Sequence, residues 1–104
     1  MSVEHWNPET DGSLSEAAMR HKLENRGYSV SRYVYPPGTV FPPHTHDADK
    51  IDGVLSGRFR MAVRGESVVL EEGDCIAVPR GKVHSAEVVG NDPVVSFDAV
   101  KSNN

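Results

Sequence analysis

The spacing of hydrophobic and polar positions changes near Tyr28. Before it, "SLSEAAMRHKLENRG" places Leu14, Ala17, Ala18 and Met19 along one helix face over about three turns. Ser13 with Glu16 three residues later reads as a capping box that starts the helix, and Gly27 stops it. Such a stripe suits a lid on the domain or a dimer contact. The preceding "MSVEHWNPETDG" is mostly polar with a proline and a glycine, and reads as an irregular arm in which His5 and Trp6 are surface or packing residues. His21 falls in the basic "RHK" near the helix C-terminus, where positive charge suits the helix dipole.

From Tyr28 onward, short runs of β-forming residues recur at intervals of about ten, separated by turn residues, as in a sandwich or barrel. The runs are "YSVSRYVY", "TVFPPHTH", "KIDGVLS", "RFRMAVR", "SVVLEE", "CIAVP", "HSAEVV" and "VVSFDAV". In "RFRMAVR" the residues Phe59, Met61 and Val63 alternate with Arg58, Arg60, Ala62 and Arg64, which marks a half-buried antiparallel strand. The expected organisation is mainly β: an arm and short helix over 1–27 packed on a single barrel over 28–100, then a polar tail over 101–104.

Composition narrows the functions. At 104 residues the chain suits one core. Eleven Lys and Arg against 15 Asp and Glu give a net charge of −4, and no basic run matches a phosphate backbone, so nucleic acid is not an expected partner. No apolar stretch approaches the roughly 18 residues of a membrane span, and the N-terminus lacks the pattern of a signal peptide. The cytoplasm is the expected location. The single cysteine, Cys75 in "GDCIAVP", has no internal disulfide partner and reads as a small buried apolar residue.

Candidate chemistry begins at "PPHTHDADK". On a strand, His44 and His46 share a face with Cα atoms about 7 Å apart, a spacing that suits two ligands of one metal. His84, delivered after the Pro79 and Gly81 turn in "PRGKVHSAEVV", supplies a third. Two segments here resemble the motifs of the cupin superfamily. "GTVFPPHTHDADKIDGVLSG" is similar to the first, G-x5-H-x-H-x3-4-E-x6-G, through Gly38, His44, His46 and Gly57. "GDCIAVPRGKVHSAEV" is similar to the second, G-x5-P-x-G-x2-H-x3-N, through Gly73, Pro79, Gly81 and His84. The resemblance implies a double-stranded β-helix, or jelly roll, with the histidines facing one open end.

Two positions depart from those motifs. Lys50 stands where the family commonly has a glutamate ligand, and Val88 stands where it has an asparagine. An ammonium has no lone pair to donate and repels a dication. Three neutral histidines still suffice for iron, zinc, nickel, manganese or copper, with positions left for water or substrate. With a regular pleat, Lys50, Asp52 and Val54 share one face, so Asp52 is the expected counter-charge for an inward Lys50. The pair is the candidate catalytic set, binding an anionic substrate group or moving a proton. Asp49, through a bulge, or Asp47 is an alternative oxygen ligand. Tyr33, Tyr35, Phe41, Met61 and Phe97 are candidates for the apolar wall.

The resulting expectation is a small metalloenzyme of dioxygenase or isomerase/lyase type acting on a small molecule. The alternative is a non-catalytic module that binds a small ligand or a metal. Exposed sheet edges lead to a homodimer as the expected assembly.

Overall fold

A computed structural model describes residues 2–102; Met1 of the arm and Asn103 and Asn104 of the tail lie outside the described residues. The elements are β1 (Val3–Glu4), α1 (Pro8–Asp11), α2 (Glu16–Asn25), β2 (Tyr28–Tyr35), β3 (Val40–His44), β4 (Lys50–Ser56), β5 (Phe59–Val63), β6 (Glu66–Leu70), β7 (Cys75–Val78), β8 (His84–Val88) and β9 (Val94–Lys101). They form a five-stranded sheet ordered β1-β7-β4-β9-β2 and a four-stranded sheet ordered β3-β8-β5-β6. All the pairings are antiparallel, as in the jelly roll that the sequence motifs implied.

The core lies between the sheets. Val54, Ile76, Val78 and Val94 of the larger sheet meet Phe59, Met61, Leu70, Ala86 and Val88 of the smaller. The larger sheet buries its outer face as well. Met19 and Leu23 of α2 pack there against Ile51, Cys75, Phe97 and Ala99. Residues 50–54 of β4 are consequently buried without a break, and Gly53 leaves room for the helix. A Cβ on Gly53 would lie 2.9 Å from Met19 Sδ.

Three local expectations change. The arm is ordered: Val3 and Glu4 pair with Ile76 and Cys75, and Asn7 caps the single turn of α1 through its side chain. The long helix starts two residues later than the capping box suggested. Ser15 Oγ accepts from the Ala18 N–H at 3.0 Å, and Glu16, freed from capping, pairs with Arg32 at 2.6 Å. Leu23 joins Met19 in the buried stripe, whereas Leu14 is only partly buried. Among the described residues no helix is long and apolar enough to cross a membrane.

The first-motif glycines differ in what their backbones demand. Both take positive φ, +85° at Gly38 and +84° at Gly57. A Cβ on Gly38 meets nothing, whereas one on Gly57 would lie 2.3 Å from the Pro93 carbonyl oxygen. Gly38→Ala is therefore expected to cost about 1–2 kcal/mol, the left-handed backbone penalty alone. Gly57→Ala should cost clearly more, because the β4–β5 turn and the backbone before β9 must separate. Denaturant unfolding of the two variants checks the ranking.

Candidate metal centre

Two strand ends and one loop bring the histidines together. His44, the last residue of β3, is the cross-strand partner of His84, the first of β8. Pro42 and Pro43 offer no N–H to that ladder, and the register shifts between Phe41 and His44. The strand does not continue to His46, contrary to the pleat expected from sequence. His46 lies in the β3–β4 loop, where the Gly81 N–H donates to its carbonyl at 2.9 Å. The ring centroids are 4.2 Å apart for His44 and His84, 4.7 Å for His44 and His46, and 5.0 Å for His46 and His84. One ligand atom from each of the three lies within 4.8 Å of the others.

Backbone carbonyls fix two of the tautomers. His44 Nδ1 donates to the Pro42 carbonyl at 2.7 Å, and His84 Nδ1 donates to the Lys82 carbonyl at 2.9 Å. Because a carbonyl only accepts, each Nδ1 carries hydrogen, and in the neutral ring Nε2 is left with the lone pair. Burial, reinforced by neighbouring cationic groups, lowers the proton affinity of His46 and His84. A set of three imidazole nitrogens fits a borderline transition metal.

Beside the histidines lies a cavity of about 150 Å³. Its apolar wall comprises Tyr35, Phe41, Phe59, Met61 and Ala86, and its polar side Lys50, Asp52 and Asp98. Two candidates for the wall stand elsewhere. Tyr33 is 45% exposed and stacks on Tyr35, and Phe97 is buried beneath α2 on the opposite face of the sheet.

Lys50 and Asp52 do face the cavity, but the counter-ion differs from expectation. Lys50 Nζ pairs with Asp98 Oδ1 at 2.6 Å, and also stands 3.4 Å from His46 Nε2. Asp52 lies directly across the ladder from Asp98. Burial pushes the Asp52 carboxyl up to about 6. Asp98 was missed in the sequence, although Val94, Ser96 and Asp98 alternate with Val95, Phe97 and Ala99 along β9.

Neither Asp47 nor Asp49 approaches the histidines as an oxygen ligand. Asp49 accepts from the Arg80 N–H at 2.8 Å, and Asp47 pairs with the Arg80 guanidinium at 2.6 Å in solvent. Both fasten the β3–β4 loop to the loop before β8. Cys75 is buried as expected, with its thiol pushed up to about 11 chiefly by burial. His5 is an exposed side chain paired with Asp74, and His21 is exposed on α2.

A family model described as a Cupin domain matches residues 31–100. Germin-like protein 5-1 of Oryza sativa subsp. japonica is 34% identical over 90 residues, which span 79% of this chain and 39% of that protein. Among solved structures, KdgF from Halomonas sp. superposes with a TM-score of 0.64 at 26% identity, over 74% of this chain and 72% of that one. An oxalate oxidase in complex with the substrate analogue glycolate gives 0.65 at 28% identity, over 76% and 44%.

The buried carboxyl of Asp52 has a testable consequence. Its folded-state pKa lies above its unfolded value, so the group stabilises the fold below the unfolded value and that stability is lost as pH rises to about 6. An amide does not titrate. Between about pH 4 and pH 7, Asp52→Asn is expected to gain on the order of 2 kcal/mol in stability relative to the native sequence. Chemical denaturation of both proteins across that range measures the difference, and parallel pH profiles would refute it.

Proposed function

The chain belongs to the cupin superfamily, and on that premise we propose that it is a small metal-binding cupin whose three-histidine site acts on a small anionic molecule. The observation that carries this reading is the convergence of ligand atoms from His44, His46 and His84 within 4.8 Å. Backbone locking of two tautomers leaves their Nε2 lone pairs ready to coordinate. A divalent transition metal held there would supply Lewis-acid activation or, if redox-active, dioxygen chemistry.

This chain's residues prepare the remainder of the site. The Lys50 ammonium draws an anionic group to the polar side of the cavity, while Tyr35, Phe41 and Phe59 shield the bound molecule from water. A cavity of about 150 Å³ matches a guest the size of benzene. The glycolate complex of the similar oxalate oxidase supports a small acid as the guest. Because the chain spans 39% of the length of the germin-like relative and 44% of that oxidase, substrate and reaction are proposed for this domain alone. Exposed Tyr33 and Val34 on the edge strand β2 support a homodimer, and a lone buried cysteine fits the cytoplasm.

The 3.4 Å approach of Lys50 to His46 favours a second reading, a module that binds an anion without turnover. Elemental analysis of tag-free protein distinguishes the two. About one equivalent of transition metal per chain is expected, falling to background in His44→Ala/His84→Ala. Metal-free protein that resists reconstitution yet binds a small carboxylate would select the second reading. In the metal-loaded protein, Lys50→Ala should weaken binding of a small carboxylate by about tenfold, measured by calorimetry.

A further inference from the structure

Lys50 poses an electrostatic difficulty for a cation site. Its ammonium stands 3.4 Å from His46 Nε2, one of the atoms available for coordination. It is also buried, at 8% exposure. A positive charge there opposes the arrival of a dication and competes for the His46 lone pair. Asp98 Oδ1 faces the ammonium at 2.6 Å. This oxygen is buried and accepts no well-aligned hydrogen bond, so the Lys50 charge is what compensates it.

We propose that Asp98 is a positioning residue and counter-ion that neutralises Lys50 beside His46, so that the three histidines can take a divalent metal. This rests on the reading of His44, His46 and His84 as metal ligands. The supporting geometry belongs to two adjacent strands. Lys50 opens β4, Asp98 lies on β9, and the pairing of Asp52 with Asp98 fixes the register between them. Asp98 and the two β4 residues line the same cavity as the histidines. Each of Lys50 and Asp98 makes the other tolerable in that position, and their charges sum to zero beside a neutral ligand set.

The sum predicts an order of affinities. Lys50→Gln leaves Asp98 alone and should bind metal most tightly. The native protein and Lys50→Gln/Asp98→Asn both sum to zero for this pair and should agree within about threefold. Asp98→Asn removes the carboxylate that contacts the ammonium, leaving only Asp52, two residues along β4, to offset it, and should bind about tenfold or more weakly than the native protein. Cobalt(II) and zinc(II) are the probes, with cobalt absorption and competition titrations at about pH 7.5, above the folded value of about 6 for Asp52, whose carboxylate is then a charge common to all four proteins.

Rescue of Asp98→Asn by the second substitution would separate charge compensation from a merely structural role. Native-like affinity of Asp98→Asn, or a double variant as weak as Asp98→Asn, would overturn the proposal. If Asp98→Asn fails to fold by circular dichroism, the comparison of Lys50→Gln with the double variant decides in its place. There, equal affinities would overturn the proposal and tighter binding by Lys50→Gln would uphold it. If the native protein binds neither cobalt nor zinc, the metal reading fails and this inference fails with it; native binding with the wrong order defeats the inference alone.

Discussion

The antiparallel ladder that holds β8 between β3 and β5 is the constraint on which the open end of the barrel depends. His84 begins β8, and the register sets it opposite His44 on one side and Val63 on the other. Cross-strand partners on one face lie about 5 Å apart at Cβ, close enough for the two imidazoles to face one group. The third imidazole does not come from the same ladder, because β3 ends at His44 and β8 begins at His84, so His46 has no partner there. It comes from a loop fastened to the turn before β8 by the Gly81 N–H and by both polar contacts of Arg80. The residues around Gly81 thus hold two of the three rings, His84 through the chain and His46 through a hydrogen bond.

Double burial of the larger sheet governs the polar half of the site. One face meets the smaller sheet and the other lies beneath α2, so neighbouring residues of β4 and β9 enter different cores. Lys50 and Asp52 enter the first, Ile51 and Gly53 the second. Burial on both faces removes the exposed side to which an ionised group usually turns. Paired cross-strand placement is then how charge persists there. Asp98 compensates Lys50, and the burial that raises Asp52 makes its proton easier to keep.

The same double burial explains what the sequence disclosed and what it withheld. The β runs were legible because glycine and proline punctuate them, and "YSVSRYVY" and "KIDGVLS" coincide with β2 and β4. The histidines were legible because their spacing follows two motifs. Face assignment along β9 was not, since a sheet covered on both sides loses the contrast between an apolar and a polar face. Phe97 looked like pocket wall, yet lies beneath the helix, and Asp98 beside it turns inward. β1 escaped notice for another reason: two residues carry no periodicity, and only the distant partner strand β7 makes Val3 and Glu4 a strand. Ser13 and Ser15 both offer a capping hydroxyl, and burial of Met19 and Leu23 against the sheet selects the later start.

Lys50 stands at the position where the family commonly has a glutamate, which reverses a local charge. The negative charge has not left the site. It stands on Asp98 of the neighbouring strand β9, 2.6 Å from the ammonium. A ligand carboxylate bonds the metal and spends its charge there, whereas Asp98 spends its charge on Lys50. Among the described residues the grouped metal-ligand candidates are the three histidines, and in the proposed reading a cation held by them would face the Lys50 ammonium in place of a carboxylate ligand. A metal held by the histidines in that reading would attract an anionic guest, and the Lys50 ammonium, although neutralised by Asp98, would still offer N–H donors to it. In the proposed reading the Lys50–Asp98 pair suits the coordination site to hold an acid, and the aromatic wall of the cavity favours a small one.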